Sequence, residues 1–262
     1  MELTLTLILL LGLIVFVTQT LEGITGFGST VLALPFAVMI MGSLDEAVPI
    51  GVAHTWLLAV YVIIVSWKHI VWKEFLFIAL YVAVGLPFGM FLFKNLNHLY
   101  LKAILSLFMI GVGIYGIQMT RRNRRKVQAS TEPVKKNILM RFVLFLGGII
   151  HGAFGTGGPF VVIYAAQALK DKTLFRVSIC LLWLCMNTVL MIWWLFEGKW
   201  TPNVCYATSI TLPFLLIGIF IGDYLHRRVS EYAFRLLVFA LLLGTGCVIL
   251  YDVADKLFAV YL

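Results

Sequence analysis

The sequence predicts an all-α polytopic membrane protein of about ten hydrophobic segments. They fall into two inverted five-segment repeats, each opening with glycine-broken or re-entrant helices. Three observations lead there. The chain is 62% hydrophobic and only 12% charged, with a mean hydropathy of +1.02, far from a soluble domain. Apolar stretches of about 20 residues, each long enough to cross hydrocarbon, follow one another with short polar joins. A glycine-rich break also occurs twice, as Glu22-Gly23-Ile24-Thr25-Gly26-Phe27-Gly28-Ser29-Thr30 and His151-Gly152-Ala153-Phe154-Gly155-Thr156-Gly157-Gly158-Pro159. Gly23, Gly26 and Gly28 match Gly152, Gly155 and Gly157 at a constant offset of 129.

The segments of the first repeat (1–119) run roughly 3–21, 24–42, 47–66, 75–93 and 99–119. Met1-Glu2-Leu3-Thr4 lacks a basic region and no small-residue cleavage site follows, so the first segment reads as a retained helix. A basic linker, 120–137, separates it from the second repeat (138–262), whose segments run 138–151, 157–169, 175–196, 204–223 and 232–251. Gly85, Gly89, Gly111 and Gly113 match Gly218, Gly222, Gly244 and Gly246 at an offset of 133, and ordered matches in two blocks point to internal duplication. Gly85-xxx-Gly89 and Gly218-xxx-Gly222 read as packing glycines.

Positive charge sets the orientation. The linker carries Arg121, Arg122, Arg124, Arg125, Lys126, Lys135 and Lys136 against Glu132 alone, which makes it cytoplasmic. Counting outward puts Lys68, Lys73, Lys170, Lys172, Arg176, Arg227 and Arg228 on the same side and both termini outside. Five segments per half then invert one repeat relative to the other. The linker charge also fits anionic lipid headgroups, although joining two inverted halves is its simpler role. Trp67, Trp72, Trp193, Trp194 and Trp200 cluster at segment ends as an interfacial belt. The net charge of +8 therefore reflects membrane orientation, and nucleic acid is not an expected partner. The four cysteines form no CxxC pair, so neither a metal site nor a disulfide framework is indicated, and no cofactor is expected.

Paired interruptions in two halves of a membrane chain point to a transporter's binding site. Backbone freed by a break is tolerated only where protein or a water-filled cavity meets it. New helices should begin near Ser29-Thr30 and near Pro159, presenting two N-termini to a common point inside the membrane. Free N–H donors and about half a positive charge at each would suit a small anion. The candidate binding residues are Thr25, Gly26, Gly28, Ser29, Thr30, Gly155, Thr156, Gly157, Gly158 and Asn187. Glu22 and His151, aligned at the offset of 129, are candidates for proton coupling or gating, as is His54. Interfacial placement explains Glu22 and His151 equally well in outline, and interhelical hydrogen bonds do so for His54, Asn187 and Thr188. Asp223 and His226 read as solvated. Arg176 either draws anions towards the entrance or anchors the positive side.

These residues resemble the sulfite exporter TauE/SafE family, also called the toluene sulfonate uptake permease family. Each of its repeats opens with a G-x-x-G-x-G stretch, as in Gly23-Ile24-Thr25-Gly26-Phe27-Gly28 and Gly152-Ala153-Phe154-Gly155-Thr156-Gly157. Arg176, followed by an apolar helix with Asn187, resembles the second-repeat pattern. The resemblance implies transport of sulfur-containing anions such as sulfite or organosulfonates across the cytoplasmic membrane. The chain contains no Walker-type loop, so ATP would not drive transport directly. A non-enzymatic secondary transporter or facilitator is thus the leading reading. Against it stand a membrane scaffold or chaperone and an intramembrane enzyme, for which no nucleophile–base pair is evident. The expected partners are a small anionic substrate and the lipid bilayer; a homo-oligomer is compatible with the sequence but not readable from it.

Overall fold

The computed structural model describes residues 5–95, 98–122 and 137–261. Most of the basic linker, 123–136, lies outside the described residues, as do residues 1–4, on which the retained-helix reading rests. The described residues form helices α1 (Leu5–Thr25), α2 (Ser29–Met41), α3 (Leu44–Ser66), α4 (Trp72–Asn95) and α5 (His98–Arg122), with a 3-10 turn at Trp67–His69. The second half supplies α6 (Ile138–Phe154), α7 (Gly158–Ala168), α8 (Lys172–Phe196), α9 (Pro202–Ile210), α10 (Leu212–Arg228) and α11 (Glu231–Tyr261). No strand occurs among them.

Local chemistry places the joints. Gly28 ends the first break at φ 104°, and Gly155 ends α6 at φ 65° while its N–H reaches His151 O at 2.7 Å. Only glycine holds such angles without a Cβ clash. Ser43 caps α3 through Glu46 N, and Asp45 and Glu46 add negative charge to its first turn. Asp171 caps α8 through Thr173 N at 2.8 Å and Leu174 N at 2.9 Å. The apolar stretch 204–223, expected to be one segment, is two helices bent by 45° at Thr211. Pro213 begins the second helix, and Thr211 Oγ1 returns to Ala207 O at 2.7 Å.

Among the described residues, α1, α3, α4, α8 and α11 are long and apolar enough to cross a membrane, and the bent pair α9–α10 makes a sixth. Ten segments were expected. The shortfall has a simple cause in part: α2, α6 and α7 have 13, 17 and 11 residues. At 1.5 Å per residue they cover roughly 20, 26 and 17 Å, less than the ~30 Å hydrocarbon layer. Apolar sequence continues through the glycine breaks, but the backbone does not run straight through them.

The helices pair across the halves. α1 lies along α10, α4 along α6, α5 along α11, and α3 along α8. Glycine is the contact in three of the four. A Cβ on Gly85, Gly89, Gly148 or Gly152 would collide with backbone across the α4–α6 seam. Gly23 meets Gly222 between α1 and α10, and Gly113 and Gly246 meet Leu243 and Ile110 between α5 and α11. Without water to drive apolar burial between helices, such close backbone approach supplies the packing attraction. Outward-facing Leu76, Leu80, Phe88 and Phe91 of α4 are exposed, as suits a lipid-covered surface. Trp67 and Trp72 are exposed at the α3–α4 junction, whereas Trp194, assigned to the interfacial belt, is buried.

Gly89→Leu should therefore push α4 off α6. With overpacking at about 1–3 kcal/mol, its thermal midpoint in detergent should fall by roughly 5–10 °C. Gly111→Leu, whose Cβ meets no atom within 4 Å, should leave it within about 2 °C. Equal midpoints for the two variants would refute the seam.

Candidate functional site

The first break does not leave its helix N-terminus open. Ser29 begins α2 behind Gly28, which gives no side-chain cap. Its N–H instead donates to the Glu22 carboxylate at 3.3 Å, and its hydroxyl donates to the same oxygen. Thr55 Oγ1 adds a third donor at 3.1 Å, and Gln19 Nε2 donates to Ser29 Oγ at 3.0 Å. Thr30 and Thr55 share a hydroxyl contact at 3.1 Å. Thr25 Oγ1 spends its donor on local carbonyls, Leu21 O or Phe27 O. All these polar residues are buried. A buried carboxylate is tolerable only when so satisfied, and here the α2 N-terminus adds its positive end. Three hydroxyl residues expected to face substrate are thus engaged within the protein.

The second break is built in parallel but without the charge. Gly157 N–H donates to His151 Nδ1 at 3.2 Å, just as Ser29 N–H does to Glu22. The aligned residues Glu22 and His151 therefore each cap the break that follows them. Because Nδ1 accepts, the proton of a neutral His151 ring sits on Nε2. Nε2 is buried and faces the neighbouring Asn187 amide, and neither group has a hydrogen-bond partner beyond the other. Asn187 is 0% exposed. Buried polar groups with spare hydrogen-bonding capacity are exceptional in a native fold. Thr156 is buried at the same turn.

Trp183 joins the two breaks. Its indole N–H donates to Gly26 O at 3.0 Å, while its ring stacks on His151 at 4.9 Å and 12°. Phe27 of the first break also approaches Gly158 of the second closely enough that a Cβ there would sit 3.2 Å from its ring. The two glycine clusters, 129 residues apart, are in contact. Nothing in the sequence reading singled out Trp183, although it lies four residues before Asn187 and so on the same face of α8.

Other candidates divide. His54 Nε2 and Thr211 Oγ1 share a hydrogen bond at 3.0 Å, which ties α3 to the α9–α10 bend. Thr188 pairs with Trp56 Nε1 at 2.9 Å, the interhelical bond anticipated for it. Asp223 and His226, read as solvated, are buried. Asp223 is held by Arg176 at 2.8 Å and Arg227 at 2.7 Å, and His226 Nδ1 contacts Ile24 O at 2.7 Å. The α1–α10 seam brings them inside, which linear hydropathy cannot foresee.

Long apolar helices with exposed apolar flanks, around buried polar groups at two helix breaks, define a multi-pass integral membrane protein. The chain belongs to the sulfite exporter TauE/SafE family, whose match covers residues 11–249. It is similar to a probable sulfite/organosulfonate exporter TauE of Cupriavidus necator, at 24% identity over 100 residues. That stretch is 38% of this chain and 39% of the relative, so the chain spans about two fifths of the relative's length. No solved structure matches the chain.

Trp183→Phe keeps the stack on His151 but leaves the Gly26 carbonyl only the weak thiol donor of Cys180. An unmade buried hydrogen bond costs about 1–3 kcal/mol, so unfolding in detergent should shift down by several degrees. An unchanged midpoint would show that Trp183 does not hold the breaks together.

Proposed function

We propose that this protein is a secondary transporter or facilitator that moves a small anion, a sulfur oxyanion or organosulfonate, across the cytoplasmic membrane. One observation carries the reading: His151 and the Asn187 amide, buried and with no side-chain partner beyond each other, sit beside the N-terminus of α7. Neutral donors at a helix N-terminus recognise an anion without burying a competing charge. Gly155, Thr156, Gly157 and Gly158 form the turn that leads into this helix. Family membership and the name of the Cupriavidus necator relative support a sulfur-containing substrate. Both also favour transport over an enzyme or scaffold.

Both helix N-termini were expected to hold the anion. Glu22 already neutralises that of α2, so the reading shifts to α7, and Gly26, Gly28, Ser29 and Thr30 shape the opposite wall. Glu22 then becomes the coupling group: proton uptake there would release Ser29 and Thr55 and loosen the first break. Inverted halves fit the helix pairing, because exchanging them carries α1–α10 onto α6–α4 and α2–α11 onto α7–α5. In this orientation the linker is cytoplasmic and both termini are outside. The membrane potential alone favours export: each negative charge leaving gains about 2.3 kcal/mol per 100 mV.

Flux in proteoliposomes tests this with sulfite, thiosulfate, sulfoacetate and sulfate, with and without a pH gradient. Saturable flux of a sulfur anion is expected, abolished by Gly157→Leu and reduced about ten-fold by Asn187→Ala, the loss of one hydrogen bond to a charged group. Glu22→Gln should carry the anion but no longer respond to the gradient. Folded protein that carries none of the four anions would favour the scaffold reading.

A further inference from the structure

Arg176 stands near the start of α8 and is 3% exposed. Its Nη1 donates to Asp223 Oδ1 at 2.8 Å, while Nε and Nη2 have no partner. Those two nitrogens share one edge of the guanidinium, whose parallel N–H donors match two oxygens of a sulfite, sulfonate or carboxylate. Asp223 is shared with the exposed Arg227 at 2.7 Å, so the buried guanidinium divides this one carboxylate with a second cation. A buried cationic donor pair with no acceptor in the protein is suited to an anion.

The place of Arg176 on α8 gives this edge a context. Arg176, Cys180, Trp183 and Asn187 recur at intervals of four, three and four, which puts them on one face of α8. Cys180 Sγ and Trp183 Nε1 both turn to Gly26 O, at 3.9 and 3.0 Å. Gly26 itself packs against Arg176, where a Cβ would sit 3.0 Å from its Cα and 3.2 Å from its Cγ. Arg176 and Asn187 are then about 16 Å apart along the axis.

We infer that the Nε–Nη2 edge of Arg176 is a second anion subsite, distinct from the one at His151 and Asn187, which receives two-oxygen anions at the Lys172–Arg227 end of the bundle. Asp223 is its resident counter-ion, holding Nη1 and orienting the fork. This rests on the anion-transport reading and adds a station to it.

The test is titration of the purified protein with sodium sulfite, methanesulfonate and sodium chloride, alongside sulfite flux. Wild type should bind sulfite at two sites and methanesulfonate more tightly than chloride. Arg176→Lys, which keeps the charge but lacks the fork, should weaken one sulfite site about ten-fold, the loss of one charge-assisted bond. Asn187→Ala should weaken the other. Asp223→Asn, which removes the resident counter-ion, should tighten sulfite binding at the Arg176 site several-fold, and serves if Arg176→Lys does not fold. Wild-type flux with sulfite binding unaltered in both Arg176→Lys and Asp223→Asn would overturn the subsite and leave the transport reading intact. Wild type that neither binds nor carries sulfite would overturn that reading, and the subsite with it.

Discussion

The hydrogen bond from Trp183 to the Gly26 carbonyl is the contact on which the interior arrangement depends. A chain that leaves the helix at membrane depth frees carbonyl and amide groups that lipid cannot satisfy. Here a helix from the opposite half supplies the donor, and the same indole supports the ring that caps the other break. One side chain thus touches both interruptions, while Glu22 and His151 accept from the N–H groups that follow them. The exposed alternative, a break facing lipid, is unavailable to either.

Around that junction the two breaks share a plan and differ in charge. Each is capped by the residue preceding its first matched glycine, reaching forward to a helix-starting N–H. A carboxylate does this in the first half and an imidazole in the second. The geometry of the cap is thereby repeated while the chemistry of the capping group is not. An internal duplication that kept both caps identical would have given two acidic walls or two neutral ones.

Much of this was legible in the sequence, for reasons that can be named. The breaks announce themselves because glycine density is incompatible with comfortable helix, and α2 and α7 begin within a residue of the expected starts. The packing role of Gly85, Gly89, Gly218 and Gly222 follows from their spacing, and their contacts agree. What stayed hidden was partnership across the fold. That Glu22 would turn to its own downstream helix, that Asp223 would be buried under Arg176, and that the segment 204–223 would bend at Thr211 all depend on which helices meet. The stripe from Arg176 to Asn187 was present as a helical period, masked by the uniformly apolar residues around it.

The glycine seams join opposite halves, and this bears on how the protein is made. α1 docks on α10 through Gly23 and Gly222, residues separated by nearly the whole length of the matched region. At 5–20 residues per second, roughly 10–40 s separate the synthesis of the two. During that interval the flat glycine face of α1 has only lipid to lie against, and the Gly26 carbonyl awaits an indole not yet translated. The first half is therefore born incomplete, and its maturation is paced by the arrival of the second.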